Sequence, residues 1–408
     1  MNQLSPEVQE EISFIDTIIK QFGPRPPGSE AESRTADYLV QDFSQIGGKP
    51  AQTETFRFAP LASIASIPVL GYALLFVAVP LYFFAPIACM IWLLFLLFFA
   101  IMQIFRYTGV FDFLYPKATG KNVFTYQDPP TGDVKYTIFL TAHMDSSWNW
   151  NLAMKNPLRM WIKVPYGIIS GVILLVLALV QELGNRGLIS WWSPWFHLLL
   201  LPLLPGFYFL SRYLSWGRDG ASPGALDNLS GIAVTRYIYH YLLTHQDHWP
   251  TGVRIGLVVF GAEEASLKGS TAFYQQHHLD LLQHTWILNL DSIGDWDQFH
   301  VIDGDIWLGA NYDNVVCDMA QKSMQEEGVL PADRIKNPVG GTDAASFAKR
   351  DPSIRVATLI AQNPIATDYY HTRNDLVDRL DPRALEKMYA VLLRLIGKIA
   401  TFENSPQE

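Results

Sequence analysis

The sequence predicts an α/β fold, a three-layer αβα sandwich around a mixed, largely parallel sheet, with two apolar helical hairpins inserted into it. Short β-branched runs alternate with helical patterns along the polar parts of the chain, the order that builds layered α/β sheets. Uncharged stretches long enough to cross a bilayer interrupt that alternation twice. Histidines and carboxylates recur where apolar runs end, which is where open α/β sheets place their sites.

Taken in order, a turn at Pro24-Arg25-Pro26-Pro27-Gly28 leads into a helix over Ala31–Ile46. Strands are expected at Asn122–Tyr126 and Val134–Ala142, with Pro129, Pro130 and Gly132 marking the turn between them. A helical pattern follows over Asn228–His245, then a continuous apolar strand at Arg254–Phe260. Helices over Ala272–Leu282, Asn314–Glu327 and Pro382–Phe402 alternate with strands at Thr285–Leu290 and Arg355–Ile360.

No charge occurs between Arg57 and Arg106, a stretch too long for a single span. Pro80 and Pro86 near its middle divide it into Leu61–Val79 and Pro86–Phe105, joined by a tight turn. Two further uncharged runs, Val164–Gln181 and Leu188–Ser211, form a second hairpin whose link carries Glu182 and Arg186; Pro202 and Pro205 interrupt its second arm. Trp148, Trp150, Trp161, Trp191, Trp192, Trp195 and Trp216 sit at or near the run ends, as in an interfacial aromatic belt. An even number of spans leaves every hydrophilic segment on one side. Arg57, Arg106, Lys117, Lys121, Lys155, Arg159, Lys163, Arg212 and Arg218 flank the spans there against Arg186 alone on the other, which predicts a cytoplasmic catalytic domain.

The 408 residues carry a net charge of −9 and no long basic run, which excludes nucleic acid as the main partner. Cys89 and Cys317 supply neither a disulfide framework nor a thiolate metal site. Residues 1–23 are acidic and lack an apolar core, so no cleaved signal peptide is expected.

Five segments carry the chemistry. His143 and Asp145 end the strand over 134–142; residues two apart share a strand face, so Asp145 reaches the region of His143, to hold the ring or to lie beside it. Asp227 and Asn228 open a helix, as ligands or as its cap. Glu263 and Glu264 follow the strand ending at Phe260, where adjacent carboxylates are costly unless a cation neutralises them or water solvates the turn. Asp291 ends the next strand, and His371 lies in the segment Tyr369–Asp375, the fifth. Imidazole with carboxylate and no thiolate suits Zn²⁺ or a similar divalent ion in a catalytic site.

In order and in flanking residues, these segments resemble those of metallopeptidase family 28, the co-catalytic zinc aminopeptidases and glutamate carboxypeptidases. The similarity covers residues 20–57, 121–147 and 220–402 and leaves out the apolar runs. It implies the zinc exopeptidase fold, two zinc ions per chain and a peptide substrate. His143 and Asp291 would bind one ion, Glu264 and His371 the other, and Asp227 would bridge them. Glu263 would be the general base, taking a proton from a metal-bridged water and returning it to the leaving amine, with Asp145 bracing the site. The run Gly340–Phe347 resembles a family loop beside the active site; there Asp343 binds substrate, braces a ligand or caps the helix over 344–349. Arg373, beside His371, stands near where a carboxypeptidase needs a cation for its substrate's carboxylate.

The expected activity is that of a membrane-anchored aminopeptidase. A carboxypeptidase, a one-zinc glutaminyl cyclase-like enzyme and a non-catalytic membrane scaffold are the alternatives; the last loses ligands as a rule, and here all are filled. The departure from soluble members is the interval from His143 to Asp227, which holds the second hairpin. The expected division is 1–60 opening the catalytic domain, 61–106 the first hairpin, 107–160 the catalytic domain with its first metal strand, 161–215 the second hairpin, and 216–408 the remainder.

Overall fold

Nine strands hydrogen-bond into one mixed sheet. The computed structural model describes residues 4–153, 156–214, 220–363 and 366–405. Lys155, Trp216 and Arg218, used in the charge and aromatic patterns above, lie outside them. The strands are β1 (Gln52–Phe58), β2 (Ala118–Gln127), β3 (Tyr136–His143), β4 (Val253–Phe260), β5 (Thr285–Ile293), β6 (Phe299–Asp305), β7 (Ala310–Asn311), β8 (Pro331–Asn337) and β9 (Arg355–Ala361). Their order is β1-β2-β4-β3-β5-β9-β6-β7, with β8 paired to β6 off this path. The four central strands β4, β3, β5 and β9 run parallel. Strand β2 against β4 and β6 against β9 are antiparallel. Because the centre is covered on both faces, its strands read as continuous apolar runs rather than alternating ones; every residue of β3 is buried.

The α/β architecture agrees with expectation, and the elements missed lie outward from its parallel centre. Strand β1 reads Gln-Thr-Glu-Thr-Phe-Arg-Phe and buries only Phe58, and β8 reads Pro-Ala-Asp-Arg-Ile-Lys-Asn and buries only Ala332. Half-exposed, polar strands like these show no hydrophobic period. The helix Pro6–Phe22 also went unpredicted, although Ser5 accepts the Val8 N–H and Pro6 opens the first turn. The helix expected over 272–282 runs instead from Lys268 to His277, starting after left-handed Leu267 (φ 57°).

The chain divides into two compact units, 1–60 with 117–147 and 221–408, and 61–116 with 148–220. Among the described residues the second unit therefore takes 107–116, 148–153, 156–160 and Gly220, which the sequence assigns to the catalytic domain. The reason is visible at Gln103: its Nε2 donates to Asp112 at 2.6 Å and its Oε1 accepts from the Phe111 N–H at 3.1 Å.

Among the described residues, four helices of this second unit are long and apolar enough to cross a membrane: Ser66–Phe84, Pro86–Phe105, Leu158–Asn185 and Pro194–Ser211. The first runs through Pro80 to a break at Ala85, at the end of the expected turn; a wider π turn over Leu74–Ala78 precedes the proline and accommodates its missing donor. The fourth is a 3₁₀ segment, Pro194–Leu200, followed by an α-helical one, Leu204–Ser211. Small residues bring these helices together. A Cβ on Gly71 would lie 2.2 Å from the Ser211 nitrogen, and one on Gly167 would lie 2.8 Å from the Gly206 carbonyl.

Candidate metal centre

Most of the groups that the sequence brings forward sit where a central parallel strand ends or in the loop beyond it. His143 is the last residue of β3, Glu263 and Glu264 follow β4, and Asp291 lies at the end of β5. The Asp227 turn leads into the helix Ser230–Thr244. Three of these loops use left-handed non-glycine residues, Ala262 (φ 54°), Ser292 (φ 57°) and His371 (φ 53°). That conformation costs on the order of 1–3 kcal/mol each and clusters at functional sites.

Asp227 stands at the middle. Its Oδ1 lies 3.0 Å from His143 Nε2 and its Oδ2 2.6 Å from His371 Nε2, so one carboxylate faces two imidazoles. Glu264 Oε1 lies 3.1 Å from His371 Nε2. Two triads result, His143–Asp227–Asp291 and Asp227–Glu264–His371, each with one donor atom per residue within 4.8 Å of the others. Asp227 Oδ1 and Glu264 Oε1 are buried and receive no hydrogen bond despite these short distances. His371 Nε2 and Asp227 Oδ2 share a hydrogen bond at 2.6 Å, while the other two oxygens remain buried without one, and two imidazoles with three carboxylates form a donor set suited to zinc. The residues present therefore fit a pair of divalent ions.

The helix-cap alternative for residues 227 and 228 divides between them. Asn228 Oδ1 accepts the Gly231 N–H at 3.1 Å and the Ser292 N–H at 3.2 Å, while its Nδ2 donates to the Leu290 carbonyl at 2.9 Å. Asn228 thus ties the start of the helix to the end of β5, leaving the Asp227 carboxylate turned to the imidazoles. Gly231 is required here: a Cβ would lie 2.3 Å from Asn228 Oδ1 and 2.5 Å from the Leu290 carbonyl.

Asp145 has two tasks. Its main-chain carbonyl lies 3.2 Å from His143 Nδ1. Its carboxylate accepts the N–H groups of Glu263 at 3.0 Å and Glu264 at 2.9 Å. Asp343 is buried and makes no capping hydrogen bond to the short helix Ala344–Ala348. Arg373 is exposed on its loop.

The sequence reading assigned no role to Arg25, Glu32 or Asp375. Asp375 accepts the Leu226 N–H at 2.6 Å and the Asp227 N–H at 3.2 Å, locking the His371 loop to the Asp227 turn. Glu32 accepts the Gly28 N–H at 2.6 Å and the Ala262 N–H at 2.8 Å, bracing the residue before Glu263. A charged residue inside a Pro/Gly turn and an acid four residues after a ligand histidine were the available signals.

The electrostatics express an excess of buried acid. Burial opposes ionisation of Asp227, but the adjoining His143 and His371 outweigh it and hold the carboxyl far below its ordinary range. Burial and then the Asp227 charge push Asp291 up to about 6. Glu263 is raised well above its usual value by burial, with Asp343, Glu264 and Asp291 adding repulsion against the opposing pull of His143. Burial lowers His371, yet Glu264 and Asp227 override it and raise it to about 10. Protons here offset negative charge that divalent cations would otherwise offset.

The fold and site together define a class. Residues 213–396 match the model of peptidase family M28. The structure superposes on a zinc aminopeptidase from Bacillus subtilis with a TM-score of 0.58 at 15% identity, covering 98% of this chain and 96% of that one. An aminopeptidase from Aneurinibacillus sp. strain AM-1 gives 0.53 at 16% identity over 97% and 93%. A glutaminyl cyclase from Bacteroides thetaiotaomicron gives 0.55 at 13% identity over 95% and 97%. No curated protein matches. Residues 213–396 are thus similar to peptidase family M28, and the chain has the mixed-sheet α/β fold of these zinc exopeptidase structures.

Proposed function

We propose that this protein is a membrane-anchored, two-zinc aminopeptidase. The observation that carries it is Asp227, whose two carboxylate oxygens face different imidazoles. His143, Asp227 and Asp291 would hold one ion, and Asp227, Glu264 and His371 the other. When bound, zinc supplies a Lewis acid that lowers the pKa of water and polarises a scissile carbonyl.

Glu263 belongs to neither triad, and its Oε2 lies 4.0 Å from His143 Nε2. It accepts the proton of the attacking water and delivers it to the leaving amine. Asp145, holding the main chain of both glutamates, keeps this base in register with the ligand beside it. Asp343 is a buried carboxyl that burial pushes up to about 8 and whose charge, once ionised, is felt by Glu263. That charge suits a substrate ammonium, whereas Arg373 stays exposed; the pair favours trimming from the N-terminus over the C-terminus. Two complete triads favour the peptidase over a one-zinc cyclase. The four apolar helices serve as the anchor, and the Lys/Arg bias puts the peptidase unit on the cytoplasmic side.

The test uses the full chain in detergent. Metal analysis is expected to give about two zinc ions per chain, and a peptide library read by mass spectrometry is expected to lose residues from its N-termini. Absence of zinc, or cleavage confined to C-termini, overturns the reading. Protease protection of the C-terminus in intact cells checks sidedness, and cleavage from outside reverses it.

A further inference from the structure

Arg25 is wholly buried. Its side-chain hydrogen bonds run to main-chain carbonyls of two distant segments. Nε donates to Met144 at 2.8 Å, Nη1 to Pro223 at 2.8 Å and to Gly23 at 3.0 Å, and Nη2 to Gly224 at 3.2 Å. Its main chain completes the junction: the Arg25 N–H donates to Ser146 Oγ at 2.9 Å, and its carbonyl accepts the Ser146 N–H at 3.0 Å. Ser146 Oγ donates in turn to the Ser222 carbonyl at 2.7 Å, and the Ser222 N–H donates to the Ser147 carbonyl at 2.8 Å.

These two segments are the roots of the insertion. Met144 follows the ligand His143, and Gly224 lies shortly before Asp227. Between Ser147 and Ala221 the chain leaves for residues 148–220 of the other unit. Closing so long an excursion opposes a loop entropy that grows as about (3/2)RT ln n, and two ligands of one triad flank it. The guanidinium is a rigid fork of donors, able to bind several carbonyls at fixed angles as an ammonium cannot. Gly224 (φ +68°) packs its main chain directly on this fork: a Cβ would lie 2.8 Å from Arg25 Nη2 and 2.7 Å from Ser146 Cβ.

We infer that Arg25, with Ser146, is a positioning residue that clasps the two roots of the insertion and so holds His143 and Asp227 at the spacing of the first metal triad. Its consequence for zinc rests on the two-ion reading proposed above; the clasp itself does not.

The experiment compares full-length wild type with Arg25→Ala, Arg25→Lys and Ser146→Ala by hydrogen exchange, zinc-free and zinc-loaded, and by zinc competition titration. Arg25→Ala is expected to lose protection at residues 144–147 and 222–225 in both states, with exchange of β5 and β9 unchanged. One of the two zinc-binding steps should weaken by about 10- to 100-fold, the range for groups that orient metal ligands, and the other by much less. Lysine at position 25 should not rescue, and Ser146→Ala should shift both readouts in the same direction by less. If Arg25→Ala fails to fold, Arg25→Lys and Ser146→Ala carry the same test. Wild-type exchange at the two roots in the folded variants overturns the clasp. Loosened roots with both zinc affinities retained, or with both weakened alike, overturn its role in spacing the triad. A wild-type chain that binds no zinc overturns the two-ion reading alone, and the exchange measurement still decides the clasp.

Discussion

In the sheet unit the side chains withdrawn from the surface include Arg25, Glu32, Asp145, Asp227 and Asp375, while in the hairpin unit those left on the surface include Phe76, Phe84, Ile91, Leu94, Ile169 and Val176. The first unit buries charge and satisfies it with main-chain groups, as Asp375 does with two N–H groups and Arg25 with carbonyls. The second hides Ser66, Gln103 and Ser170 and presents hydrocarbon outward. The difference teaches that the hairpin unit carries outward the apolar surface that the proposed membrane anchor requires. Apolar surface of that extent is unfavourable in water but neutral in lipid, where small residues at the contacts and internally bonded backbone hold helices together.

The comparison sharpens first at the base. Glu263→Gln should lower kcat/KM by about 10²- to 10⁴-fold with zinc content unchanged; retained hydrolysis would remove Glu263 from its role. Next comes the outward face of the hairpins. Val176 is 52% exposed, and Val176→Arg should cost about 2.5–3.5 kcal/mol of membrane insertion, read as alkaline extraction of the variant but not of wild type. Equal extraction of the two would argue that this face does not meet lipid.

Smaller is the effect of overpacking. Gly71→Val pushes a side chain into the main chain at Ser211 and should destabilise the hairpin unit by about 1–3 kcal/mol, measured as thermal unfolding in detergent. A Gly71→Val protein as stable as wild type would disprove the close helix contact.

The remaining prediction concerns pH. In the ion-free site His371 is raised to about 10 and Asp291 to about 6. Cations compete with those protons, so zinc affinity is greatest above both values and is lost as pH falls through them. Between pH 9 and 7 a proton must leave His371, and His143, which burial lowers but Glu263, Asp145 and Asp227 raise well above its ordinary value, must lose one too, giving at least about a tenfold loss per pH unit, and the slope steepens below about 6. Zinc competition across pH 5–9 measures this slope, and a flat profile would refute it.

Legibility in the sequence followed how local each signal was. Strands β3, β4, β5 and β9 were readable because burial on both faces makes them unbroken apolar runs, whereas β1, β6 and β8 are shorter on such residues and took their pairing from neighbours. His143, Glu264, Asp291 and His371 could be singled out because ligand chemistry restricts residue type. Asp227 carried two readings, cap or ligand, and only the contact of Asn228 with Gly231 and Ser292 separates them. Arg25 and Glu32 gave weak signals, since an arginine in a proline turn reads as solvated until its partners, more than a hundred residues away, are in place.

By itself the sequence determined the layered α/β class, the apolar helices and the residue types able to hold zinc, because periodicity, length and donor chemistry are properties of short segments. The tertiary structure alone decided that Asp227 sits between two imidazoles, that Asp145 governs both glutamates through their amides, and that the roots of a long insertion are clasped by one buried arginine. Those are distances between segments far apart along the chain, and they exist only once the sheet has closed.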